Sequence, residues 1–508
     1  MLVIESPMKL RILGDKSLLR SRLAKELTYV DKSLTFQINK LKKQLAVVDR
    51  NGPSWKATWL RDKVADLSKK QVQCLLFEDQ KGLWTYPGLG EKLSQLLGVE
   101  RPQISFLLPE TKRVPWSKLP KFKNRYYQDE AVEKMLESTK YGPVAISMST
   151  GAGKSAIIRS LVKHFGLKTV VVAPSLSIAE QLHSDLLYHF GSRYVGFYGD
   201  GKKKCEKLFT VAIDDSLVKI KPGSKDHEVL SETEVLIVDE SHCCPTSTHH
   251  TLLSGVFLKT PYRFFVTATL FRNDGKDLLL EALVGNAVYE KDIKTLVGEG
   301  YLSKPTFKIV EVHPEKPEPS DPNEATRVNL YYNTAVNKAA AEIASSYVSK
   351  KKPVLIRIDE IEQFAFLYPH LKNHKIAFAH GALTKENKPL VPVEFHESDV
   401  SKLVEDFNKG LYEILIGTSC IGIGTDIQVA EAGIYLVGGM SEIELTQSIG
   451  RVTRGGSKSG VYNPWTGKQK DSADWIDFYV DTPTLGRHYA ARERIYNALI
   501  GEVEDYVR

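Results

Sequence analysis

Cysteine is scarce in this chain: five in 508 residues (Cys74, Cys205, Cys243, Cys244 and Cys420), an odd number with no CxxC pair. That excludes a disulfide scaffold and favours free thiols in a reducing cytoplasm. His242, Cys243, Cys244, His249 and His250 crowd one stretch, but structural zinc sites draw their ligands from separated pairs, so a zinc site is not expected. No apolar run approaches the roughly 20 residues of a membrane span. Met1 to Leu13 lack the sustained apolar stretch of a signal peptide. A cytoplasmic protein without membrane contact is expected. No short fixed period repeats. Hydrophobic residues make up 42% and charged residues 26%, ordinary values for a globular chain, and the length suits about three domains. The charge is not evenly spread. Of a net +7, residues 1–123 hold 24 Lys/Arg against 12 Asp/Glu, a surplus of 12 that leaves −5 for the rest. Such a segment suits a polyanion partner, and equally a plain solvated surface.

The middle of the chain alternates β-branched runs with helical stretches. Val144–Met148, Thr169–Ala173, Val235–Val238 and Arg263–Val266 read as buried strands, with helices at Ala156–Phe165 and Ile178–Phe190. The rhythm resumes at Val354–Ile358, Lys375–Ala379, Glu413–Ile416 and Gly433–Val437. This is the βαβ pattern of parallel sheets covered by helices, given twice. The expected fold class is α/β: two parallel-sheet lobes in tandem behind a small basic α+β N-terminal domain. Expected boundaries are 1–118, 119–297 and 298–508. The Pro-rich acidic stretch from His313 to Pro322 reads as an exposed loop of the second lobe. A second loop is expected near Thr384–Ser398.

Ser149-Thr-Gly-Ala-Gly-Lys-Ser155 follows a strand and opens a helix. There, backbone N–H groups and the helix N-terminus present positive potential to a phosphate. Thr150, Gly151, Ala152 and Gly153 would form the cradle, Lys154 would neutralise the outer phosphates, and Ser155 would ligate Mg²⁺. The full pattern has a glycine six residues before the lysine, where this chain has Met148. Val235-Leu-Ile-Val-Asp-Glu-Ser-His242 is a strand ending in two carboxylates. Asp239 suits a metal and Glu240 suits activation of water, with His242 expected to couple them to the other lobe. Gln447-Ser-Ile-Gly-Arg-Val-Thr-Arg454 puts Gln447, Gly450, Arg451 and Arg454 on one helical face, where arginines can meet charge developing on a phosphate. A Gly-rich turn, an acidic strand exit and a basic solvated helix are the bland alternatives for the three motifs.

In this order, the three motifs resemble those of superfamily 2 helicases and translocases over about residues 120–480. The resemblance implies that both lobes are RecA-like, with ATP and Mg²⁺ as cofactors, nucleic acid, most simply DNA, as partner, and 3′–5′ polarity; a monomeric active form is expected. Tyr126-Tyr-Gln128 resembles the adenine-reading segment. Ala173-Pro-Ser175 resembles a loop that grips nucleic-acid backbone. Thr267-Ala-Thr269 resembles the element that couples hydrolysis to movement. Thr418 and Gly422-Ile-Gly-Thr-Asp426, with Gly424 and Asp426, resemble a second-lobe motif touching nucleic acid and nucleotide; Ile423 stands where the family has an acidic residue. Thr269-Leu-Phe-Arg-Asn-Asp-Gly275 with Arg272, Val72–Gly98, and Asp474-Trp-Ile-Asp477 before a basic helix are similar to the phage UvsW-type branch-migration helicases. That likeness implies forks and recombination junctions as substrates, with roles in recombination, repair or replication. Ser175, Thr269, Arg272 and Thr418 are the expected nucleic-acid contacts. Phe271, Arg272 and the Thr384–Ser398 loop are candidate strand separators, with an ordinary surface loop and a packed Phe as the bland alternative. A duplex translocase that does not unwind, an RNA helicase, and a catalytically dead binding protein are the rival expectations.

Overall fold

Valine, isoleucine and leucine fill the strand cores of this chain almost without interruption, which is the signature of strands covered on both faces. The computed structural model describes residues 1–49, 55–115, 122–270, 274–422, 425–470, 472–499 and 503–506. They form two units: Met1–Met148 with Gly153–Glu290, and Ser149–Ala152 with Lys291–Arg508. In the first, six parallel strands make the centre of an eight-stranded sheet, in the order Val195–Gly199, Phe209–Ile213, Thr169–Ala173, Val235–Asp239, Tyr262–Thr267, Val144–Met148. In the second, seven parallel strands follow the order Ile376–Ala379, Ile414–Gly417, Val354–Ile358, Ala432–Leu436, Ser472–Val480, Lys304–Val312, Val503–Tyr506. Two RecA-like parallel-sheet lobes are therefore present.

Parallel strands in register bring their carboxyl ends to one sheet edge, where ligands of such sheets bind. Met148, Ala173, Asp239 and Thr267 end adjacent or near-adjacent strands of the first lobe, so the four motif loops that follow them start from one edge. Thr418 follows Ile414–Gly417 in the second lobe in the same way.

The N-terminal segment belongs to the first unit. A four-stranded antiparallel sheet runs Leu2–Ser6, Lys9–Ile12, Gly82–Thr85, Phe77–Asp79. A two-stranded ribbon pairs Thr28–Val30 with Val72–Cys74. From the ribbon springs a pair of helices, Lys32–Asp49 and Trp55–Gln71. One apolar cluster runs from Leu2, Ile4, Met8 and Leu10 through Leu89 to Val170, Leu236, Phe265 and Leu283. Each such burial contributes about 1.5–3 kcal/mol, so the N-terminal segment and the first lobe share a core.

One local expectation changes. The helix carrying Gln447 and Arg451 spans Glu442–Val452 and is capped at Thr453. Arg454 lies beyond it and bridges Leu302 by its backbone, so it does not continue the helical face. The Thr384–Ser398 loop is tethered: His396 Nε2 lies 2.8 Å from the Val391 carbonyl, and His380 Nε2 lies 2.7 Å from that of Phe395. The Phe395 ring packs on Phe364 and Tyr368. The stretch after His313 is largely exposed up to a short helix, Pro322–Thr326, capped by Asp321.

Candidate functional site

The loop after Met148 owes its shape to two glycines. Gly151 has φ +86° and Gly153 has φ +81°, a region that side chains rarely adopt. Met148 is fully buried as the last residue of its strand and carries no such φ. The turn can therefore form without the glycine of the full pattern. Ala152 N donates to the Ser149 carbonyl at 3.0 Å. Thr150 is buried, and Lys154 and Ser155 open the helix Lys154–Phe165 with Gly153 as its N-cap.

Lys154 Nζ lies 2.8 Å from Glu240 Oε1, and both side chains are mostly buried. Asp239 ends the strand Val235–Asp239, and its Oδ1 accepts from Glu240 N at 3.0 Å. Glu240 has φ +49°, an uncommon conformation for a residue other than glycine, and one that recurs at functional sites. This turn is what lets two successive residues serve one site: Asp239 stays at the strand end while Glu240 meets Lys154. Burial and the neighbouring Glu240 charge push the Asp239 carboxyl up to about 6. Burial works to raise Glu240 as well, but Lys154 and His242 hold it well below the usual carboxylate range. One carboxylate is thus strongly ionised beside one that a divalent cation would favour in its charged form.

His242 Nδ1 lies 3.3 Å from Glu240 Oε2 and 3.1 Å from Thr267 Oγ1. Thr267 Oγ1 in turn donates to the Thr269 carbonyl at 2.9 Å, and Ser147 Oγ donates to the Ala268 carbonyl at 3.3 Å. A continuous polar path therefore runs from Lys154 through Glu240 and His242 to Thr267–Thr269, all on the first lobe. The sequence alone points His242 at the other lobe and does not reveal its partner, the hydroxyl of Thr267. The place of Thr267 as the last residue of a strand beside Asp239 is the signal that could have found it.

Gln128 is buried with its Oε1 accepting from Arg125 N at 2.8 Å and its Nε2 donating to the Gly153 carbonyl at 3.4 Å. It therefore touches the phosphate loop directly; Tyr126 beside it is exposed. Ser175 caps the helix Leu176–Phe190, accepting from Ile178 N at 3.4 Å. Thr269 N donates to Thr267 Oγ1 at 3.3 Å. Arg272 and Phe271 lie outside the described residues, as do Ile423 and Gly424.

On the second lobe, Gln447 and Arg451 are buried on their helix. Arg451 donates to the Gly422 carbonyl at 3.0 Å and to that of Thr425, and Arg454 pairs with Asp426. Arg451 and Arg454 are thus hydrogen-bonded to Gly422, Thr425 and Asp426. Lys470, buried below them, donates to the Val452 carbonyl at 2.6 Å and the Gln428 carbonyl at 3.1 Å. Thr418 is buried, its N donating to the Ala379 carbonyl at 3.1 Å.

The family described as type III restriction enzyme, res subunit, matches residues 121–272, and the helicase conserved C-terminal domain matches residues 337–456. The chain is 24% identical over 371 residues to the DNA 3′–5′ translocase XPB2 of Sulfurisphaera tokodaii, covering 67% of this chain and 81% of that one. The structure of S. cerevisiae Dbp5 bound to RNA and ADP BeF3 aligns with a TM-score of 0.51 at 15% identity, over 75% of this chain and 89% of that one. The crystal structure of T4 UvsW aligns over the whole of both chains with a TM-score of 0.40 at 16% identity. Among the described residues, no helix is long and apolar enough to cross a membrane. The chain belongs to the superfamily 2 helicases, ATP-dependent enzymes acting on nucleic acid.

Proposed function

We propose that this helicase is a 3′–5′ DNA motor acting on branched DNA such as forks and recombination junctions, in recombination, repair or replication. The observation that carries its chemistry is the Lys154–Glu240 pair beside Asp239 at the edge of a parallel sheet. Thr150, Gly151, Ala152, Gly153 and Lys154 would hold the phosphates of ATP, and Tyr126 and Gln128 its base. Ser155 and Asp239 would hold Mg²⁺, which supplies charge neutralisation of the phosphates. The residues fit: two positive-φ glycines make the cradle, and the buried Asp239 carboxylate, raised by burial and by Glu240, is one whose charged form a cation would favour. Lys154 would leave Glu240 for the incoming phosphate, freeing that carboxylate to accept a proton from the attacking water. Gln447, Arg451 and Arg454, with Gly424 and Asp426, would act on the nucleotide from the second lobe. Ser175, Thr269, Arg272 and Thr418 would grip DNA backbone, positioning the strand without reading sequence. Residues 1–118 would serve as an accessory DNA-binding domain, 119–297 as the first lobe and 298–508 as the second. The active form would be monomeric and cytoplasmic.

The test is ATPase and unwinding across forks, junctions, duplex and RNA. Branched DNA should stimulate hydrolysis and be unwound. Glu240→Gln should lower kcat by about 10²–10⁴, and Lys154→Ala should abolish nucleotide-dependent activity. Stimulation by RNA alone, or activity equal to that of Lys154→Ala, would overturn the reading. A second reading, a duplex translocase that does not unwind, draws support from the restriction-subunit match to residues 121–272 and from the relative named a translocase. Triplex displacement without strand displacement would favour it.

A further inference from the structure

The two helices that spring from the N-terminal ribbon carry a surface the ATPase chemistry does not use. Residues 32–71 hold 10 Lys/Arg against 3 Asp/Glu, a surplus of 7 out of the surplus of 12 in the first 123 residues. Within the helices only Ile38, Ala57 and Leu60 are buried, and the two helices pack against each other. The remaining faces are open, and they are not merely charged. Phe36, Lys40, Lys43 and Val47 recur at i, i+4, i+7 and i+11, the spacing of one helical face. Trp55, Trp59 and Lys63 recur at i, i+4 and i+8 on the second helix. Phe36 is 72% exposed and Trp55 80%. Single exposed apolar residues are ordinary, but large aromatics in register with lysines on both helices of a pair are a different pattern. Lys63 Nζ already sits 4.6 Å above the Trp59 ring. Arg61 pairs with Asp49 and Lys70 with Asp66, whereas Lys40, Lys43 and Lys56 have no ion pair among the described residues.

The root of this arm is fixed to a motif of the first lobe. Asp31 Oδ2 lies 3.1 Å from Lys276 Nζ, and Lys32 N donates to the Asp274 carbonyl at 2.9 Å. Gly275, at φ +78°, lets the turn approach the ribbon so closely that a Cβ there would lie 2.5 Å from the Val30 carbonyl oxygen. The arm thus stands on the turn at Asp274–Lys276, which begins five residues beyond Thr269 in the sequence.

We infer that the helix pair 32–71 is a single-strand-binding arm, in which Trp55 and Trp59 stack on unpaired bases while the lysines on both helices hold the phosphates. Lysine rows supply the sequence-independent attraction to a polyanion. Aromatic faces supply stacking, which only an unpaired base can offer. The inference rests on reading the chain as a nucleic-acid motor and names the strand that its accessory segment holds. Rooting the arm on the turn after Thr269 would link that grip to the segment expected to move with hydrolysis.

The test uses the full chain, a fluorescent dT20 oligonucleotide and a blunt duplex of the same length, read by anisotropy over a salt series. Thermal unfolding checks that each variant folds. Trp55→Ala/Trp59→Ala should weaken dT20 binding by about tenfold or more and change duplex binding much less. Lys40→Glu/Lys43→Glu should weaken dT20 binding and flatten its salt slope by about 0.7 for each phosphate no longer neutralised. Folded variants that bind dT20 like the wild type overturn the arm, as does a weakening confined to duplex. If the wild type binds neither probe and no nucleic acid stimulates its ATPase, the motor reading itself has failed, which is a separate result.

Discussion

His242 stands between a carboxylate and a hydroxyl, and its charge decides how both are held. Burial works against that charge, yet Cys243 and Glu240 hold the imidazole up to about 9. A histidine whose folded pKa exceeds its unfolded value of about 6.5 contributes stability that is complete below that value. The contribution is lost as pH rises through the folded value. His242→Gln should therefore cost on the order of 2–3 kcal/mol near pH 6, and the gap to wild type should close above about pH 9. Thermal unfolding from pH 6 to 9.5 measures it; a gap that stays constant over that range would mean His242 is held by packing alone. The residues of the phosphate loop and the carboxylate pair are legible in the sequence because each is a local pattern: a turn that needs glycine, a strand that ends in acids. The left-handed backbone of Glu240 and the reach of His242 to Thr267 are not. They depend on two strands distant in sequence being neighbours in the sheet. Met148 shows the reverse case, a departure from the pattern that costs nothing because no positive φ falls there.

Strands made of unbroken apolar runs are legible to within a residue or two, and helices nearly as well, because burial on both faces leaves a plain signal. The strands that the sequence hides lack it. Val195–Gly199 has two glycines, and Lys304–Val312 begins Lys-Pro and alternates buried with part-exposed residues. Ser472–Val480 carries Asp474 and Asp477, and its acids have specific uses. Asp477 is buried with Arg492 Nε 2.8 Å from its Oδ2, and Tyr496 Oη donates to the same oxygen at 2.7 Å. Trp475 Nε1 donates to Tyr496 Oη at 3.3 Å. This network clamps the helix Pro483–Leu499 onto its strand. Removing one partner leaves a buried charge uncompensated, which typically costs about 3–5 kcal/mol. Arg492→Ala should lower the second lobe's melting transition accordingly, while Asp477→Asn/Arg492→Met should recover much of the loss. Equal destabilisation by both variants would show that shape rather than charge holds the helix.

The division of labour expected for the whole chain is a basic accessory domain followed by two lobes. In the folded chain the accessory segment instead shares its core with the first lobe, a merger invisible to composition because both halves of the interface look like ordinary core. Arg263, on the strand that leads to Thr267, donates to Met8 Sδ at 2.7 Å and to the Thr260 carbonyl at 3.1 Å. Tyr86 Oη lies 3.0 Å from His250 Nε2, on the helix that follows the carboxylate pair. A close approach is made at Gly88, where a Cβ would lie 2.1 Å from the Glu281 carbonyl oxygen and 2.6 Å from that of Ala282. Those are backbone atoms of the helix Asp277–Val284 and cannot rotate away. Gly88→Val should therefore force the N-terminal segment off the first lobe and cost about 1–3 kcal/mol, as overpacking typically does. Because the core is shared, the loss should appear as one cooperative transition of the first unit, with the ATPase melting alongside it. Ala would give a smaller effect in the same direction. If Gly88→Val instead melted the N-terminal segment in a separate early step and left hydrolysis intact, the segment would be an appended module. Its arm would then be tethered to the motor instead of built into it.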